Sequence, residues 1–178
     1  MALTLVGKVD MNTEEHLKTY LNDHRAGASA GTDLARRIWR THRSGEWGPQ
    51  LAQIFESIRN EKDVLDDVRA ILGVAGGQFR RAAALVVERA SRLKMGGGSD
   101  DFPSGTIAEV EVLMSGIQAK QRLWCALGVL ARSRPELVGF DFRALEEQST
   151  EQLTVLGEVH EWAVGQSWGT PPLDDPVP

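Results

Sequence analysis

Residues 12–42 read NTEEHLKTYLNDHRAGASAGTDLARRIWRTH, and this stretch decides the fold. Leu17, Tyr20, Leu21, His24, Gly27, Ala28, Gly31, Leu34, Ala35 and Ile38 recur at steps of three and four, which places them on one stripe of an α-helix. A periodic run of this length is too long for a strand. Asn12 and Glu15 have the spacing of a capping box, which predicts a helix start at Asn12 or Thr13. Arg36, Arg37, Arg40 and Arg43 gather at the other end, where the helix dipole favours cations.

The pattern repeats downstream. After the short connection RSGEWGP at residues 43–49, Pro49 stands where a first helical position tolerates its missing N–H. Leu51, Ile54, Phe55, Ile58, Glu61, Leu65, Val68 and Leu72 then form a second stripe, and a connection this short predicts antiparallel neighbours. Phe79, Ala82, Ala83, Val86, Ala90 and Leu93 mark a third helical segment, ended by the flexible run Gly96-Gly97-Gly98. Residues 104–132 carry Ile107, Val110, Leu113, Met114, Ile117, Trp124, Leu127, Val129 and Leu130, and residues 141–165 carry Leu145, Leu153, Leu156, Val159, Trp162 and Ala163. The expected fold is all-α: an antiparallel up-down-up-down four-helix bundle with short extra helical segments. It forms one domain over residues 12–166, preceded by a patternless segment 1–11 and followed by a Pro-rich tail 167–178.

With 178 residues, 42% apolar and 25% charged, the chain has the composition of one ordinary globular domain. Its formal charge of −5 argues against a nucleic-acid binder or an anionic-membrane binder. No window approaches the ~18 apolar residues of a spanning helix. Cys125 is the single cysteine and no signal-peptide pattern opens the chain, so the cytoplasm is the expected compartment. Serine-nucleophile, phosphate-loop and dinucleotide fingerprints are absent, and no base is evident to activate Cys125.

Polar residues on inward stripes are the informative ones, because a buried charge without a partner is costly. His24 lies beside Gly27, Ala28 and Gly31; Glu61 lies between Ile58 and Leu65. Folding back from the first connection puts these two within about 6 Å in height, and counting through later turns brings Glu88, Glu111 and His160 to a similar level. One reading is a pair of buried groups, His24 and Glu61, bonded to each other or to Tyr20. The alternative is a metal site of di-iron or di-manganese type built from His24, Glu61, Glu111 and His160, which would make the chain a candidate oxidoreductase. Such sites use Glu-x-x-His pairs, and none occurs here. Gly27 to Gly31 reads as a close helix approach or a slot for Trp124 or Trp162, with space for a ligand beside His24 as the functional option. Lys120 is expected to snorkel at the helix surface rather than pair with a carboxylate.

Tyr20-Leu21-Asn22-Asp23-His24 with Ala26-Gly27-Ala28 and Leu34-Ala35-Arg36-Arg37 resembles the opening helix of small, uncharacterised bacterial proteins of ferritin-like bundle type. The likeness continues in Glu88-Arg89, Arg92-Leu93-Lys94, Glu109-Val110-Glu111-Val112-Leu113, Gly116-Ile117, Lys120 and Leu123-Trp124, covering residues 14–165. It implies a ferritin-like bundle and no particular activity. The function expected is a non-catalytic interaction or structural role without a cofactor, with an unidentified protein partner. A homodimer through Trp39, Trp47 or Trp168 is a further option.

Overall fold

A computed structural model describes residues 3–74 and 102–169. The expected third stripe, Phe79 to Leu93, with Glu88, the glycine run 96–98 and residues 170–178 of the tail lie outside the described residues. Four long helices account for most of the rest, and no strand occurs among the described residues.

Helix α1 is Leu3–His42. Asn12 and Glu15 are therefore interior positions, and the capping-box reading is corrected. Residues 4–11, TLVGKVDM, hold no proline and one glycine, so nothing halts helix propagation backward from the strong stripe. Helix α2 is Gly48–Ile71, with Pro49 in its first turn as expected. Gly48 is required there, since a Cβ would collide with the Arg43 carbonyl oxygen. Helix α3 is Phe102–Leu130, again with a proline in the first turn. A 3₁₀ turn at Pro135–Leu137 leads to α4, Phe142–Trp168. Asp141 caps α4 by accepting the Ala144 N–H at 3.0 Å, and Gly169 ends it in the left-handed region at φ 66°.

Helix α1 packs on α2 and α3, and α4 packs on α3 and α2. Contacts between α1 and α2 run in reverse order: Asn22 meets Arg69 and Arg25 meets Asp66, while Trp39 stacks on Phe55. The same reversal links α1 with α3, through Arg37–Glu109 and His42–Thr106, and α3 with α4, through Glu111–His160 and Gln121–Thr150. Helices α2 and α3 thus both run counter to α1. Taken in chain order the described helices run up, down, down and up, and residues 75–101, which fall between α2 and α3, lie outside the described residues.

The stripe of α2 is buried from Leu51 through Val68, as its spacing predicts. In α3 the stripe holds except at Val129, which is 56% exposed. Trp39 and Trp47 pack against the core, whereas Trp168 is 69% exposed. The core has two parts. One centres on Leu34, Ile38, Ile54, Ile58, Ile117 and Leu156; the other on Leu21, Leu65, Leu123, Trp124, Leu127 and Phe142. Among the described residues no helix is long and apolar enough to cross a membrane.

Candidate functional site

The break between the two core parts is polar. On α2, Glu61 falls between Ile58 of one cluster and Leu65 of the other; on α3, Lys120 falls between Ile117 and Leu123. Helical spacing thus sets both charges at the same level. Glu61 is 2% exposed, and its Oε2 accepts from the Lys120 ammonium. Gln152 of α4 closes the layer: its Oε1 accepts from Lys120 Nζ at 2.6 Å, and its Nε2 donates to Glu61 Oε1 at 2.9 Å and Ser57 Oγ at 2.8 Å. Burial pushes the Glu61 carboxyl up, opposed by the charge and hydrogen bond of Lys120 and by Gln152 and Ser57. Burial likewise pulls the Lys120 ammonium down, opposed by Glu61. The pair is neutral as a unit, and each partner offsets the desolvation of the other.

A cavity of about 510 Å³ opens beside this layer, between α1, α2 and α3. That volume lies in the range of small-molecule sites, ~300–1,000 Å³. Its α1 wall is the small-residue run, including Gly27, Ala28 and Gly31, and its α3 wall includes Gly116. A Cβ built on Gly27, Gly31 or Gly116 meets nothing within 4 Å. The expectation that a tryptophan fills the glycine slot is therefore corrected. Trp162 turns to His42, edge-on at 5.6 Å between ring centres, and Trp124 lines the cavity while stacking on Phe142. The indole N–H of Trp124 is buried and has no hydrogen-bond partner among the described residues.

Of the four residues weighed as metal ligands, His24, Glu61 and Glu111 line this one cavity, each against a different partner. Glu61 is engaged by Lys120 and Gln152. His24 lines the cavity, but its ring stands edge-on to Tyr20 at 4.5 Å, and burial lowers its pKa against the opposing charge of Asp23. Glu111 and His160 pair with each other at 3.1 Å, with the Glu111 side chain 59% exposed. No group of three potential ligands assembles among the described residues. Of the two carboxylates among the four, Glu61 is the deeply buried one, and an ammonium faces it.

Lys120 corrects a second expectation, because it turns inward to a carboxylate instead of snorkelling. Gln152 was not singled out from the sequence at all. The signal existed: Ser149, Gln152, Leu156, Val159 and Ala163 form the true buried stripe of α4, and two of its members are polar. A second network fastens α1 to α2 nearby. Asp66 accepts from Arg25 at 2.5 Å and from Arg69 at 3.0 Å, and Arg69 reaches Asn22 at 2.8 Å. Burial raises the Asp66 carboxyl, but Arg25, then Arg69 and Lys62, outweigh that and hold it below its ordinary value.

Compared with models of known protein families, with curated proteins and with solved structures, the chain matches none.

Proposed function

We propose that this chain is a non-catalytic helical bundle of ferritin-like arrangement that holds a small, largely apolar molecule between α1, α2 and α3. The arrangement is supported by the reversed contact order of neighbouring helices, in which α2 and α3 both run counter to α1. The observation that carries the binding role is the open glycine wall of the cavity. Apolar side chains such as Leu34, Ile58 and Leu113 supply much of the remaining lining, with polar groups on all three helices, His24, Lys62 and Ser115 among them. The alternative of iron or manganese binding draws less support, because Lys120 neutralises Glu61 and the Glu111–His160 pair supplies two ligands only.

Titration with the neutral dye Nile red tests the reading. One saturable site per chain is expected, and Gly31→Leu, whose side chain would project into the cavity, should weaken it at least about tenfold without lowering the melting temperature. Absence of saturable binding, or binding indifferent to Gly31→Leu, would overturn it.

A further inference from the structure

Two amines line the cavity, and they differ in setting. Lys62 pairs with the exposed Asp63 at 3.1 Å and with Asp66 at 3.6 Å. Lys120 enters from α3 with its side chain 15% exposed, and the carboxylate it faces, Glu61, is 2% exposed. An ammonium becomes a nucleophile only by giving up a proton, and the bond that joins Lys120 Nζ to Glu61 is a path for that transfer. Burial favours it from both sides, raising the carboxyl and lowering the ammonium, since the product is an uncharged pair. A lysine desolvated in an apolar pocket is a nucleophile suited to carbonyl compounds.

We infer that the cavity takes an aldehyde with an apolar body and holds it as an imine on Lys120 Nζ, with Glu61 first as proton acceptor and then as counter-ion. This rests on the cavity-binding reading above and names its ligand class. The nitrogen lone pair forms the N–C bond while the C=O π pair moves to oxygen, and one N–H proton passes to that oxygen to give a carbinolamine. The proton held by Glu61 then goes to the hydroxyl, the C–O bond breaks, and water leaves. Ammonium and aldehyde thus become iminium and water, with no oxidant or reductant. The iminium keeps a positive charge facing Glu61, so the buried layer stays neutral as a unit. Its single N–H serves Glu61, and the bond to Gln152 Oε1 is the one given up. An aldehyde suits this nitrogen because Glu61 and Gln152 already stand against it, and an aldehyde carbon brings only one substituent. The glycine wall, where a Cβ on Gly27 or Gly31 meets nothing within 4 Å, leaves room for the apolar body.

The test incubates the whole chain with naphthaldehyde and cyanoborohydride, which reduces an imine to a stable secondary amine, and locates the modified lysines by peptide mass spectrometry. Labelling at Lys120 should be at least about tenfold faster than at the exposed Lys18, because the cavity holds the carbonyl beside the amine. Ethylnaphthalene, similar in shape but lacking the carbonyl, should slow labelling at Lys120 and leave Lys18 unaffected. Gly31→Leu should act in the same way, since its side chain takes the space of the apolar body. With saturable Nile red binding in place, labelling at Lys120 no faster than at Lys18, labelling at Lys62 instead, or a Lys120 rate indifferent to both ethylnaphthalene and Gly31→Leu would each overturn the imine and leave the cavity reading intact. Absence of saturable Nile red binding would overturn the cavity reading itself.

Discussion

Replacing Lys120 by methionine keeps its length and apolar stem and removes the charge facing Glu61. The carboxylate left behind is 2% exposed and retains two uncharged partners, the Gln152 amide at 2.9 Å and the Ser57 hydroxyl. Breaking a buried ion pair from one side costs about 3–5 kcal/mol. A bound follows independently. Glu61 can shed its buried charge by taking a proton, and at pH 7, 2.5 units above its ordinary value of 4.5, this costs about 3.4 kcal/mol. The sign is set by the carboxyl whose folded pKa rises: stability is complete below the unfolded value and is lost as pH climbs toward the folded one. The deficit of Lys120→Met relative to wild type should therefore be near 3 kcal/mol at pH 7 and shrink by about 1.4 kcal/mol per unit on acidification toward pH 5. Chemical denaturation of both proteins at pH 7, 6 and 5 measures it, and histidine titrations shared by the two cancel in the difference. A deficit below about 1 kcal/mol at pH 7, or one that does not change with pH, would mean that water reaches the pair and that it does not organise the core.

Two further outcomes are expected. Gly27→Ala and Gly31→Ala add Cβ atoms in mid-helix that meet nothing within 4 Å, so each should stabilise by up to about 1 kcal/mol and together raise the melting temperature by about 4–8 °C; a fall in calorimetry would show that the slot is filled. His24 and His42 both have pKa values lowered from 6.5 by burial, opposed by Asp23 and Glu109 respectively. Their contribution is present above pH 6.5 and is lost as pH falls through the lowered values, so thermal stability should drop between pH 7 and pH 5, and His42→Asn should flatten that drop.

The apolar spacing of α2 made its buried face legible, and it also exposed Glu61, the one charge inside the stripe. The partner of Glu61 was not legible, because periodicity orders residues along one helix and says nothing of which neighbour's long side chain reaches across. Lys120 could equally have turned outward, and at most positions a lysine does. Gln152 was hidden for a related reason. A stripe counted in apolar residues alone selects Leu153, which is half-buried, over the polar residue beside it that the core encloses. The start of α1 was hidden because Asn12 and Glu15 satisfy a local rule that continuing helix overrides.

The glycines of the cavity acquire their meaning from position. Gly48 and Gly73 have local causes, a close backbone approach and a positive φ of 67°. Open space alone is not diagnostic, because Gly105, Gly139 and Gly157 are equally unobstructed. Gly27, Gly31 and Gly116 differ in sharing one cavity from two helices, beside Lys120 and Trp124. Each gives up as much as about 1 kcal/mol of helix stability relative to alanine. Part of the lining, Glu111, Ser115 and Gly116, is exposed, so this space communicates with solvent. Under the proposed binding role, the missing side chains are stability given up to keep that space open, in the way that functional sites commonly depart from the stability optimum.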